Sequence, residues 1–348
     1  MKKFLICLSL VIVAVGIILL LFSLKPFPTK QTEDIVFKQI NIISPTLNPT
    51  QGETFIAQDL ASYFKSRGKQ VRLFDPRSYI TSPDFDPYAH AVNLFIYAWQ
   101  DFVPSSHGIN ILYLLLPDEG RVNYKNFDLI ATTSKKQARY LQKKGLPAVY
   151  IPQFSNTARF THDYHKNLDV PLLFVGNLYD HDKLRPSVKY ALENNFDIHV
   201  YGHSWERYIP AKYVKGIFIP NDELHKYYAS AQIVLNDHQP KMIANGVISN
   251  RVFDVTASEG FLISDYMPEI EAVYHDSIPM YHSSKDFEKL ISYYAAHPLE
   301  RAQKAKKAHD ITMRYFTLEK IGNQFMEEIT KIVHKRLKEK TISFDSPM

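Results

Sequence analysis

The sequence predicts an α/β protein of two Rossmann-like lobes with parallel sheets, preceded by an N-terminal transmembrane helix. Apolar strand-like runs alternate with amphipathic helix-like runs from residue 40 to the C-terminus, the pattern of sheets joined by helical crossovers. The alternation breaks once, at the polar, turn-rich THDYHKNLDV (161–170), and then restarts. The 348 residues, 45% hydrophobic and 13% aromatic, supply apolar surface for two cores, far from the signature of a disordered chain.

The N-terminus comes first. Phe4 to Leu24 form an uncharged apolar run of about 21 residues, long enough to cross a bilayer, between Lys2 and Lys3 on one side and Lys25 on the other. A cleavable signal peptide is the alternative, but its apolar region is usually shorter and ends at a small-x-small site. Residues 1–30 are therefore expected to be an uncleaved anchor and its flank. Lys2 and Lys3 against Lys25, Lys30 and Lys38 leave the orientation nearly balanced. The single cysteine, Cys7, lies in this run and excludes an intrachain disulfide or a cysteine-based zinc site. A formal charge of +5 suits anionic substrates or lipid and falls short of a dedicated nucleic-acid binder.

The first lobe, 31–165, opens with INIIS (40–44), the loop PTLNPTQG, and a helix in which Ile56, Leu60 and Phe64 recur at helical spacing before Gly68. Strands are expected at 71–75, 92–98, 110–116, 128–133 and 148–152, with SKKQARYLQKKG as a helix between the last two. The second lobe, 166–313, begins with PLLFVG and continues through helix 183–195, strands DIHVYG and GIFIP, helix 221–231, strand QIVLN, helix 250–260 and strand FLISD. Three helical stretches close the chain. The last, within 314–340, offers Ile321, Phe325, Ile329 and Ile332 as an apolar stripe that could pack back on the first lobe.

Open α/β sheets bind ligands outside the carboxyl ends of their strands, so the loops there hold the candidate residues. Gly176 and Asn177 follow the first strand of the second lobe, where backbone N–H groups could meet a phosphate or simply make a tight turn. Lys183 and Arg185 follow, as phosphate ligands or as ordinary surface cations. In VLNDHQPKMIANGVISNRVFD, a buried-strand pattern ends at Leu235, and Arg251 and Asp254 lie one helical turn apart. An arginine fork fits phosphate oxygens and a carboxylate accepts ribose hydroxyls, although an i,i+3 ion pair on a solvated helix has the same spacing.

The blocks FVGN, VYGHSW, VLNDH, IPQFSNTARF and NRVFDVTASEGFLISDYMPEIEAVY, followed by YYAAHPLERAQKAKKAHD, resemble in order and spacing the CgeB-like spore-protein glycosyltransferases. That family's pattern is R-x-F-E, a small-residue helix, G-x-L-L-x-[DE] and a YYL-x-HP-x-E-R helix. The resemblance runs from about Asn110 to about Phe316 and is strongest from Gly176 onward. It implies a GT-B fold, with a nucleotide-sugar donor in the C-terminal lobe, a glycan, lipid or protein acceptor in the N-terminal lobe, and no cofactor or required metal. By the same resemblance Asp254 stands at the ribose-binding carboxylate, one methylene shorter than the family's Glu, Arg251 at a diphosphate ligand and Lys183 at a phosphate-binding lysine. Tyr201, Gly202 and His238 fall in the family's donor-side blocks. Where larger retaining relatives carry a second acid and a basic residue, this chain has Gly246 and Asn177.

In the first lobe, Thr50, Gln51 and Gly52 lie where such enzymes place a loop facing the diphosphate and acceptor. His107, Asp118 and Glu119, near strand ends, are the candidate catalytic groups. The D-x-D strings Asp84/Asp86 and Asp180/Asp182 and the H-x-x-H of His162 and His165 lack the setting of a metal site. P-loop, G-x-S-x-G and G-x-G-x-x-G motifs are missing, which leaves kinase, serine-hydrolase and dehydrogenase readings without support. The cations of the C-terminal helices, Lys304 to Lys340, fit either a solvated face or an anionic lipid surface. The expectation is a membrane-anchored, metal-independent glycosyltransferase, hexosyl or related, with retention favoured and the active part facing the cytoplasm, where nucleotide sugars are made. The alternative is a non-catalytic sugar- or nucleotide-binding protein on the same fold.

Overall fold

The computed structural model describes residues 37–49, 51–75, 90–97, 104, 105, 107–117, 120, 122–178 and 183–339. The expected transmembrane helix, Thr50, Asp118, Glu119 and both D-x-D strings lie outside them. Among the described residues no helix is long and apolar enough to cross a membrane.

In the first lobe, β1 (Gln39–Ile43), β2 (Gln70–Phe74), β3 (Val92–Tyr97), β4 (Ile109–Leu114), β5 (Leu129–Thr132) and β6 (Ala148–Tyr150) form one parallel sheet ordered β2-β1-β3-β4-β5-β6. INILYL of β4 is buried at every position, as a parallel strand covered on both faces requires. Helices α1 (Gly52–Ser66) and α2 (Lys135–Lys143) belong to this lobe, and Ile56, Leu60 and Phe64 of α1 are buried. Asn41, Asn93 and Asn110 stand directly opposite one another on β1, β3 and β4. Their amides are linked in a row, Asn41 Nδ2 donating to Asn93 Oδ1 at 2.9 Å and Asn93 Nδ2 to Asn110 Oδ1 at 3.2 Å.

The second lobe contains β7 (Leu172–Val175), α3 (Pro186–Glu193), β8 (Ile198–Tyr201), β9 (Val214–Gly216), α4 (Leu224–Ser230) and β10 (Ile233–Asn236). It continues with α5 (Pro240–Asn245), α6 (Asn250–Ala257), β11 (Leu262–Asp265), α7 (Pro268–Tyr274), β12 (Met280–Tyr281), α8 (Ser284–Ala296) and α9 (Pro298–Tyr315). Its parallel sheet runs β12-β11-β10-β7-β8-β9, so the order reverses between β7 and β10 and opens a crevice at their carboxyl ends. GIFIP, expected as a strand, leaves the ladder after Gly216. Helices α5 and α7 and the edge strand β12 have no counterpart in the sequence-based expectation. Both helices start with proline in the first turn, where its missing N–H costs nothing.

The chain crosses between lobes twice, and the crossings are bonded to each other. Ser155 N donates to Phe316 O and Leu318 N to Ser155 O, each at 2.9 Å, in a parallel bridge of Ser155 with Thr317. The final helix, α10 (Leu318–Lys338), then lies on the first lobe. Ile321, Phe325, Ile329 and Val333 are its buried stripe, with Val333 in the place expected of Ile332. Phe325 meets Tyr113 of β4 edge to face at 5.0 Å, Gln324 donates to Tyr150 O at 2.8 Å, and Arg336 pairs with Asp128 at 2.8 Å. Gly322 lies against the ring of Tyr63, which would collide with any larger side chain.

Candidate functional site

A cavity of about 320 Å³ lies where the carboxyl ends of the two sheets face each other. Gly176 and Asn177 enter it from the end of β7, and Tyr201 and Gly202 from the end of β8. Ser249, Asn250, Arg251 and Asp254 enter from the start of α6, and Gln51, Gly52 and Asp59 from the first lobe.

Two glycines leave room for the arginine. A Cβ at Gly176 would run into Nη2 of Arg251, and a Cβ at Gly202, whose φ is +149°, would meet the carbonyl of Gly176. The guanidinium of Arg251 is held in place by Nη1 donating to Asn236 Oδ1 at 3.0 Å and by the ring of Phe174, 4.9 Å away. Nearby, burial pushes the Tyr228 hydroxyl above its ordinary value while the Arg251 charge pulls it back.

Asp254 is 8% exposed. It accepts from Ser155 Oγ at the crossing and from Asn250 Nδ2, each at 2.8 Å. Burial pushes its carboxyl up to about 7, the bond from Ser155 and the Arg159 charge oppose the rise, and Asp59 adds to it. The opposite wall is a buried ion pair: Arg159 Nη1 donates to Asp59 Oδ1 at 3.0 Å and Asn156 Nδ2 to the same oxygen at 2.8 Å. The rings of Phe55 and Phe160 flank the Arg159 guanidinium at 5.3 and 5.4 Å, and its Nε is buried without a hydrogen-bond partner.

Other candidates have different positions. Two N–H groups of the turn after β7 are already used: Gly176 N donates to Tyr201 O at 2.8 Å and Leu178 N to His203 O at 3.2 Å. Helix α3 begins only at Pro186, and its N-terminus already holds an anion. The fully buried Asp237 carboxylate accepts from Ser187 N at 3.0 Å, Ser187 Oγ at 2.6 Å and Arg185 Nε at 2.6 Å. Arg185 is therefore a structural cation. Lys183 is exposed in the preceding connection and does not line the cavity.

His238 is buried outside the cavity. Its Nε2 accepts from Ser249 N at 3.0 Å, which leaves the proton on Nδ1, 2.6 Å from Asp265 Oδ1. It thereby positions the start of α6 and does not face a ligand in the cavity. His107 is exposed at the amino end of β4, its N–H bonded to Ser105 Oγ at 3.2 Å, the wrong end of a parallel sheet for a catalytic group. Tyr201 faces the cavity with its ring 5.5 Å from that of Tyr227, and burial pushes its hydroxyl up to about 12. Gly246 caps α5 with φ +67°, and the carboxylate of Glu269 occupies the space a side chain there would need. Among the described residues no group of three His, Cys, Asp or Glu could hold a metal ion.

Sequence reasoning missed Asp59, Asn156 and Arg159. One signal was available: Asp59 is an acid on the helix face of Ile56, Leu60 and Tyr63, where a buried charge needs a partner.

The family model described as glycosyl transferase-like matches residues 184–327, which include Tyr201, Gly202, Arg251 and Asp254. This segment is similar to that glycosyl transferase-like family. Spore protein CgeB of Bacillus subtilis (strain 168) is 30% identical over 216 residues, 56% of this chain and 65% of CgeB, so the chain spans about two-thirds of that relative. The CgeB-like resemblance thus extends beyond the segment that the family model matches. Solved structures share the architecture of two parallel-sheet lobes of the GT-B type. Sucrose-phosphate synthase from Thermosynechococcus elongatus, 12% identical, superposes with a TM-score of 0.63 over 86% of this chain and 100% of its own. Anabaena HepE, solved in complex with UDP and glucose, is 10% identical and gives 0.59 over 84% and 99%. The DNA-modifying β-glucosyltransferase, studied with and without uridine diphosphoglucose, is 14% identical and gives 0.54 over 85% and 99%. At these identities the shared property is the fold.

Proposed function

We propose that the protein is a glycosyltransferase that moves a sugar from a nucleoside-diphosphate donor to a glycan, lipid or protein acceptor without a required metal. The observation that carries this reading is the placement of Arg251 and Asp254. They sit one turn apart on α6, lining a cavity in which the missing side chain of Gly176 leaves room for the Arg251 guanidinium. In this reading the arginine, already oriented by Asn236 and Phe174, stabilises the charge that builds on the departing diphosphate. Asp254, ionised above about pH 7, accepts the ribose hydroxyls. The finer form, hexosyl transfer with retention, follows from the CgeB-like resemblance, and the anomeric configuration of an isolated product tests it.

The first experiment is calorimetric titration of the full chain with nucleoside diphosphates and their sugars, beside Arg251→Ala and Asp254→Ala. Binding of one nucleotide series that both substitutions weaken supports the donor site; no binding by the folded parent removes it. A second reading, a nucleotide- or sugar-binding protein without turnover, is favoured by Gly246, where larger retaining relatives carry an acid, and by an α3 N-terminus already filled by Asp237. Sugar transfer or donor hydrolysis by the parent would exclude it.

We also propose that residues 4–24 anchor the chain in a membrane with the active part on the cytoplasmic side, because an uncharged apolar run precedes a domain that needs a cytosolic donor. A C-terminal reporter that reads as exported contradicts that orientation.

A further inference from the structure

A second cavity, of about 560 Å³, opens between α2 of the first lobe and α7 of the second. Its two walls differ in charge. Lys135, Lys136, Arg139 and Lys143 line it from α2, where spacings of three and four residues bring them to one face. Lys136 Nζ donates to Ala244 O of the other lobe at 2.6 Å, and Lys135 Nζ lies 5.2 Å from the ring centre of Tyr150. Tyr140, 55% exposed, and Tyr150 supply aromatic surface. The second-lobe wall carries Glu269, whose Oε2 is buried without a hydrogen-bond partner. Buried polar atoms are nearly always satisfied, so a lone carboxylate oxygen at a cavity wall marks a place for a donor.

We propose that this cavity binds an anionic glycan, a saccharide chain bearing phosphate or carboxylate groups, as the acceptor. Only the role of acceptor rests on the transfer reading; the binding of such a glycan does not. Four cations against one carboxylate favour an anion, two tyrosines offer ring faces for sugar rings, and Glu269 Oε2 accepts a sugar hydroxyl. The volume falls within the ordinary range of ligand clefts, about 300–1,000 Å³. A lipid surface would use the cations but has no use for a concave wall holding a carboxylate. The position fits an acceptor too. Gly246 and Ile248 line this cavity while Ser249 and Asn250 line the first, so one short segment separates the two. Because residue 246 has no side chain, Glu269 reaches that segment.

The test titrates the full chain in detergent with a galacturonate tetramer, a phosphorylated maltotetraose and neutral maltotetraose, with phosphatidylglycerol vesicles as a separate arm. The anionic chains should bind at least about tenfold tighter than the neutral one, and Arg139→Glu with Lys143→Glu should remove that difference. Glu269→Gln should weaken all three oligosaccharides several-fold, and nucleotide affinity should hold in each variant. The preference between galacturonate and phosphorylated maltotetraose identifies the anionic group. Equal binding of neutral and anionic chains, no binding of any oligosaccharide, or binding of vesicles alone overturns the proposal. Anionic-glycan binding by a chain that binds no nucleotide keeps this site and removes the transfer reading.

Discussion

The two sheets bury their polar groups in different places and in different forms. In the first, Asn41, Asn93 and Asn110 form a neutral amide row across three strands, continued by Asn110 Nδ2 to Ser105 O at 2.7 Å. In the second, the polar groups gather after the strands and include acidic and basic side chains: Asp237 with Arg185, Asp265 with the His238 imidazole, and Arg251 with Asn236. A neutral row fixes register, because a one-residue slip would strand three amides in an apolar interior. A charged cluster at the carboxyl ends fixes the loops and helix starts that follow the strands. The first sheet therefore places its buried polarity in its own pairing and the second in the loops after its strands, while Asp59 and Arg159 of the first lobe carry buried charge to the cavity.

The sharpest way to break that contrast is Asp237→Ala. It strands the Arg185 charge and uncaps α3, and should cost about 3–5 kcal/mol in urea unfolding. A loss below about 1 kcal/mol would show that the ionised cluster is not structural. Next is Arg251→Ala, which should weaken nucleotide binding by about 1.5–3 kcal/mol while the unfolding midpoint moves little. A large fall in stability with binding intact would reverse its assignment. Asn93→Ala should do the opposite, costing about 1–3 kcal/mol of stability and leaving nucleotide affinity unchanged.

The last effect is a slope with pH. With a carboxyl pushed up to about 7 from 3.8, folded Asp254 holds a proton that the unfolded chain has released, so its contribution to stability is greatest in acid and declines as pH rises toward 7. Asp254→Asn should lose that part of the slope. Binding of a nucleotide sugar should run the other way in the parent, strengthening as pH rises through about 7, and be flat in the Asn variant. A parent flat in both measurements would show that burial does not raise the Asp254 carboxyl.

These contrasts also mark what could be read from the sequence. Strand–helix alternation identified both sheets, and the apolar run ending at Leu235 identified β10 as a buried strand, because periodicity reports burial directly. Arg251 and Asp254 were readable because one helical turn brings i and i+3 together. Arg159 and Asp59 were not, since 100 residues separate them and only the lobe junction makes them neighbours. Asp237 in VLNDH was not readable as the cap of α3, because an acid after a strand carries the same letters whether it faces a substrate or caps the next helix. His107 looked like a strand-end residue, but spacing alone does not say which end.

The paired crossings at Ser155 and Thr317 have a mechanical consequence. A single connecting chain acts as a universal joint and allows rotation about any axis. Two chains laid side by side and tied by two hydrogen bonds act as a leaf spring, compliant across its flat face and stiff within its plane. The sidechain of Ser155 also holds Asp254, so the carboxylate at the cavity wall is fastened to the spring itself. Any opening of the two lobes therefore bends the one element to which the proposed ribose ligand is attached.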